Sequence, residues 1–204
     1  DSAPDLAGAA NDLRAAHGLP PLPFAALRPM VGSGARGMVG VAFGVAPGED
    51  RFDGLRDAFL ARYAERLLQC TRVFEAMQPV LDRLDALGLP WGIVTNKAMR
   101  FTAPLVDGLG LARRAQMVIA GDTTSHAKPH PAPLLEAARR AGVPPGRCAY
   151  VGDDLRDMVA GRAAGMATLA AAWGYLGQGD PIEAWGADHV LSAPAQLLQW
   201  LELA

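Results

Sequence analysis

Apolar residues recur at helical spacing from the first turn of the chain. Leu6, Ala9, Ala10 and Leu13 lie on one face of a helix that Gly18, Pro20 and Pro21 bring to an end. Phe24 to Val31 predicts a short second helix stopped by Gly32-Ser33-Gly34. Met38, Val39, Val41, Ala42 and Phe43 predict a third, ended by Gly44 and Pro47. A fourth, from about Phe52 to Gln69, carries Leu55, Phe59, Leu60, Tyr63 and Leu67 on its apolar face. No strand pattern interrupts them, so residues 1–73 are expected to form a small four-helix bundle, a helical cap domain.

After Phe74 the period changes. Predicted helices over Pro79–Leu87, Phe101–Leu109, Ala132–Ala141 and Leu155–Ala164 alternate with short apolar runs. These runs are Trp91–Thr95, Met117–Ala120, Ala149–Val151 and Ala167–Ala170, and His189–Leu191 with a helix from Ala195 closes the chain. Helix and strand in alternation, joined by Gly/Pro loops, predict parallel βα units. Residues 74–204 are therefore expected to be α/β, a Rossmann-like doubly wound parallel sheet.

Composition narrows the partners. The 204 residues are half hydrophobic and one-fifth charged, with a formal net charge of −2. No basic stripe suggests nucleic acid, and no apolar run reaches the roughly 20 residues a membrane span needs. A basic start followed by an apolar core, the mark of a secretory signal, is also missing. Cys70 and Cys148 lie far apart and are expected to be reduced, buried thiols. These features predict a cytoplasmic protein, monomeric or homodimeric, acting on a small molecule.

Candidate chemistry clusters where strands end. Gly152-Asp153-Asp154-Leu155-Arg156-Asp157 follows a buried strand and opens a helix, the place where open α/β sheets put their ligands. Three acids so close repel one another unless a cation sits among them, and Mg²⁺ is the simplest oxygen-seeking choice. The alternative is that Asp154 caps the helix and Asp157 supports its first turn. Thr95 and Asn96 end another strand, where a hydroxyl and turn N–H groups can hold an anion or simply complete a turn. In Ala127-Lys128-Pro129, the proline biases Lys128 towards an extended backbone and so aims its ammonium. Held near the sheet edge, that ammonium would offset charge on a phosphoryl group. His126 and His130 read as loop residues rather than metal ligands.

Thr95, Lys128 and the Gly152–Asp157 segment, in that order, resemble the haloacid dehalogenase superfamily. That resemblance implies a Rossmann-like core with a helical cap. It also implies Mg²⁺-dependent phosphate-ester hydrolysis through an aspartyl-phosphate. By motif position, Thr95 with Asn96 would bind the phosphate, Lys128 would steady the nucleophile and the phosphoryl charge, Asp153 would ligate Mg²⁺, and Asp157 would support the metal through water. The family's Asp-x-Asp-Gly-Thr motif, which supplies nucleophile and general acid, does not occur in the sequence. Asp1-Ser2-Ala3-Pro4-Asp5-Leu6 resembles the family segment directly after that motif, so upstream residues are expected. The strand they would form is central in the family's sheet, and without it two inner edges would be left unpaired. If the chain truly began at Asp1, a non-catalytic phosphate-binding relic would be the favoured reading.

Gly32-Ser33-Gly34-Ala35-Arg36, Val94-Thr95-Asn96-Lys97, Trp173-Gly174-Tyr175 and Trp185-Gly186-Ala187-Asp188 further resemble phosphoglycolate phosphatases. They are also similar to N-acetylmuramic acid 6-phosphate phosphatases. Both substrates carry a carboxylate, for which Arg36 is the candidate partner. Trp173, Tyr175 and Trp185 are expected to serve packing.

Overall fold

The computed structural model describes residues 1–203. Its helices form where the 3.6-residue periodicity lies: α1 (Ala3–Ala16), α2 (Phe24–Leu27), α3 (Gly34–Phe43) and α4 (Phe52–Arg66). Pro4 sits in the first turn of α1, where a missing N–H has no helical partner to lose. Leu6, Ala9, Ala10 and Leu13 of α1 are buried, as are Phe52, Leu55, Phe59 and Tyr63 of α4. These four helices fall in one contact unit, Asp1–Arg72 with Tyr175–Gln178.

Two expectations for this unit need correcting. The helix expected over Phe24–Val31 is α-helical only to Leu27 and continues as a 3₁₀ segment over Arg28–Ser33. Pro29 accounts for the change, since it has no N–H to give and its ring crowds the preceding turn. Gly34 is the expected stop, closing the 3₁₀ segment with φ of 61°, and it is also the first residue of α3. Gly37 lies so close to the Met30 carbonyl and Ser33 that a side chain there would collide.

Cys70 is exposed rather than buried. It lies in the extended stretch after α4, where its backbone N–H rather than its thiol is engaged. The acceptor is Asp5, completely buried in α1. Asp5 accepts from the N–H groups of Cys70 at 3.0 Å and Thr71 at 2.8 Å, and from the Thr71 hydroxyl at 2.6 Å. Tyr175 adds a second tie, accepting from the Ser2 N–H at 2.9 Å and bonding the Asp1 carboxylate. The Arg28 guanidinium lies 5.1 Å from the centre of its ring.

The second unit, Val73–Gly174 and the residues from Gly179 onward, is α/β. Its elements are α5 (Gln78–Ala86), β1 (Ile93–Val94), α6 (Met99–Gly108), β2 (Val118–Ile119), α7 (Ala132–Ala141), β3 (Ala149–Gly152), α8 (Leu155–Ala163), β4 (Ala167–Ala171), β5 (His189–Leu191) and α9 (Ala195–Trp200). All strand pairs are parallel, with Ile93 opposite Val118, Tyr150 opposite Thr168 and Ala170 opposite Val190. Among the described residues the strands form two sheets, β1-β2 and β3-β4-β5, rather than one. β1 is shorter than the run Trp91–Thr95, although Trp91 O and Thr95 N still bond Gln116 and Ile119 at 2.8 and 2.9 Å.

Val80, Leu84, Leu169, Leu191 and Leu197 form one apolar cluster, with Trp91 and Trp173 against it. Leu134, Ala138, Ala160, Ala164 and Met166 form a second, against which Val94 and Tyr150 pack. A fully buried leucine such as Leu134 or Leu169 contributes about 2 kcal/mol by its removal from water. These clusters hold the strand ends, and the loops that extend from them, in place. No helix among the described residues is long and apolar enough to cross a membrane.

Candidate active site

Three loops of the α/β unit carry the polar side chains. The turn after β1 supplies Thr95 and Asn96, the long loop after β2 supplies Lys128, and the β3–α8 turn supplies Asp153 and Asp154, with Asp157 in the first turn of α8. The β3–α8 turn is tight because Gly152 has no side chain. A Cβ at Gly152 would strike the Asp157 carboxylate, and one at Gly174 would strike Asp153. Both glycines thus form a cradle that only backbone can line.

Asp157 is almost fully buried and pairs with Lys128 across 2.8 Å. Its other oxygen accepts from the Asp153 N–H at 3.2 Å. The Lys128 ammonium has three donors, and three acceptors surround it: Asp157 Oδ1, the Tyr150 hydroxyl at 2.6 Å and the Val94 carbonyl at 3.2 Å. The Lys128–Pro129 peptide is cis. Burial pushes the Tyr150 hydroxyl well above its ordinary pKa, and the charges of Asp157 and Asp153 add to this. Tyr150 therefore keeps its proton and remains a neutral partner for the ammonium.

Asp154 is the N-cap of α8. It accepts from the Arg156 N–H at 2.9 Å and pairs with the Arg156 guanidinium at 2.6 Å. Burial alone would raise its pKa, but the bonds from Arg156 outweigh burial and hold it below the usual carboxylate range. This matches the helix-cap reading of that residue. Thr95 Oγ1 accepts from the Lys97 N–H at 3.1 Å, and a hydroxyl that accepts still has its hydrogen to donate. Burial lowers the Lys97 ammonium to about 8.

The structure brings Lys128 and Asp157 into contact, with Asp153 bonded to Asp157 through its backbone. Asn96 joins the turn after β1 to the loop that carries Lys128. Its side-chain amide faces the backbone of Lys128, at 2.8 and 2.9 Å. Arg36 is exposed on α3 of the helical unit. His126 and His130 are exposed, their rings stacked at 4.4 Å, as loop residues. Tyr150 escapes sequence reasoning because it reads as one more apolar strand residue. The available signal is alternation, which puts Tyr150 on the same face as Gly152 at the strand's end.

Hard carboxylate oxygens suit magnesium. Asp153 lies against Gly174 in the glycine cradle, and both Asp157 oxygens are engaged within the protein. No group of three or more His, Cys, Asp or Glu among the described residues is arranged to hold a metal. The donor chemistry fits an ion that takes one or two carboxylates and completes its shell with water and phosphate.

A family model described as haloacid dehalogenase-like hydrolase matches residues 1–171. The chain is 44% identical over 198 residues to a phosphoglycolate phosphatase of Xanthomonas campestris pv. campestris, covering 97% of this chain and 89% of that one. It is 39% identical over 204 residues to an N-acetylmuramic acid 6-phosphate phosphatase of Pseudomonas aeruginosa, covering 100% and 90%. The crystal structure of a predicted phosphoglycolate phosphatase from Haemophilus somnus is similar at a TM-score of 0.84 and 26% identity, over 98% of this chain and 92% of that one.

Proposed function

The chain belongs to the haloacid dehalogenase-like hydrolases, and from that premise we propose that it is a Mg²⁺-dependent phosphatase of a small carboxylate-bearing phosphate monoester, phosphoglycolate first. One observation carries the reading. A buried lysine–aspartate pair lies where three strand-end loops meet, next to a carboxylate held in a glycine cradle. The paired charges are out of water, so each acts through a low-dielectric surround on whatever anion enters beside it.

In this reading Thr95 donates its hydroxyl to a phosphoryl oxygen, together with N–H groups of the turn after β1. Lys128 releases one of its three bonds to offset phosphoryl charge, while Asp157 and Tyr150 keep its head in place. Asp153 would hold the magnesium, and Asp157 would support it. When bound, the ion neutralises phosphoryl charge. Arg36 pairs with the substrate carboxylate. The family route runs through an aspartyl-phosphate, whose carboxylate is not assigned to a residue of this sequence.

N-acetylmuramic acid 6-phosphate is the second reading, favoured by a relative of that name that aligns with the entire chain. The test is turnover of phosphoglycolate and N-acetylmuramate 6-phosphate, with Mg²⁺ and with EDTA. Hydrolysis of one ester at least tenfold faster than the other, abolished by chelator, is the expected result, the margin being about 1.4 kcal/mol of transition-state binding. Chelator-resistant dehalogenation of a 2-haloacid would overturn the reading.

A further inference from the structure

We infer that Asn96 is a positioning residue for Lys128, its side-chain amide holding the backbone of residue 128 so that the ammonium lands at the reacting phosphoryl group. This rests on the phosphatase reading above. Asn96 Nδ2 donates to the Lys128 carbonyl at 2.8 Å, and the Lys128 N–H donates to Asn96 Oδ1 at 2.9 Å. A primary amide offers one donor side and one acceptor side, so it matches both backbone groups of a single residue at once. Used this way, the amide faces the protein rather than a ligand.

The same turn grips the other end of the loop. Gly121 N–H donates to the Lys97 carbonyl at 2.9 Å, and a side chain on Gly121 would run into the Asn96 backbone. Consecutive residues 96 and 97 thus secure the loop that carries Lys128 at its start and near its end. From that fixed backbone the lysine stem runs inward to Asp157, Tyr150 and Val94. Asn96 itself is exposed, while the ammonium it directs is nearly buried. Its work is therefore done through the backbone, without reaching the reacting atoms.

The two roles open to Asn96 separate in kinetics. A phosphate ligand made at both ground and transition state would raise KM when removed, whereas a group that only aims Lys128 would lower kcat. The test uses the full-length protein with Mg²⁺ and phosphoglycolate. Asn96→Ala is expected to lower kcat about 10²-fold, the cost of a small misplacement of a catalytic group, with KM little changed. Amide hydrogen exchange at Lys128 is expected to rise in the same variant, a readout independent of turnover.

Asn96→Asp supplies a conditional rescue. Its protonated carboxyl keeps one donor and one acceptor, but the ionised form sets charge against the Lys128 carbonyl. Its kcat relative to wild type should climb as pH falls through that carboxyl's titration, while the Asn96→Ala ratio stays flat. Raised KM with kcat retained in Asn96→Ala, unchanged exchange at Lys128, or a pH-independent Asn96→Asp ratio would each overturn the inference. A wild-type protein that hydrolyses no phosphate ester is a separate result. It overturns the phosphatase reading and, because Lys128 would then serve no such reaction, this inference with it.

Discussion

Asp5 in the helical unit and Asp157 in the α/β unit are the two buried carboxylates among the described residues. They solve the same problem with different partners. Asp5 is satisfied by two backbone N–H groups and one hydroxyl, all within 3.1 Å and all neutral. Asp157 is satisfied by one N–H, by the Tyr150 hydroxyl at 3.4 Å and by the ammonium of Lys128. The donors around Asp5 are fixed by the chain itself, so the arrangement has nothing to hand over. The donor beside Asp157 sits on a long stem and carries a full charge. It can exchange one acceptor for another and shift its field onto an incoming anion. On the function proposed above, the Asp5 cluster serves architecture and the Lys128–Asp157 pair serves the reaction.

Removing the ammonium should produce the largest effect. Lys128→Ala is expected to cut kcat on phosphate ester by 10²–10³, about the loss seen when one preorganised electrostatic group is removed. It should also destabilise the fold by about 3 kcal/mol, because Asp157 is left buried without its counter-charge. Pairing Lys128→Met with Asp157→Asn separates the two losses. Urea denaturation should show most of the stability regained, while turnover stays absent. Asp5→Ala probes the other carboxylate, and the expected cost is about 2 kcal/mol from N–H groups stranded in the interior. Equal losses of stability and kcat for Asp5→Ala and Lys128→Ala would erase the contrast.

Two smaller effects depend on pH. Lys97 has a folded-state pKa of about 8 against an ordinary 10.5, because burial disfavours its charge. Between those values the unfolded chain holds a proton that the folded one does not, so stability rises with pH through that window. Lys97→Met should remove the rise in a series of denaturation curves from pH 8 to 10.5. Asp154 acts in the opposite range. Its pKa is lowered on folding, so its contribution is present above the unfolded value and lost as pH falls through the folded one. Asp154→Ala is expected to cost about 1 kcal/mol at neutral pH and progressively less in acid.

The sequence pattern reveals the elements more readily than their contacts. The bounds of α7 and β5 are readable from periodicity, since Pro131, Gly142 and the flanking polar residues punctuate them. The order Thr95, Lys128, Asp153 and Asp157 points to the strand ends because βα units deliver their loops to one edge. Pro29 is harder, because the periodicity of the second helix runs straight across the proline. The bond between Asn96 and the Lys128 backbone is hidden because the partners lie 32 residues apart, and only the closing of the loop reveals it. Tyr150 is hidden for a related reason. Its ring belongs to the strand's apolar pattern, and only its final atom touches the charged group.

Tyr175–Gln178 cluster with the helices even though their flanks on both sides belong to the α/β unit. A fragment ending at Arg72 would therefore lack the phenol that anchors the beginning of α1. Anyone grafting the helices onto a related scaffold should carry this distant tetrapeptide along with them.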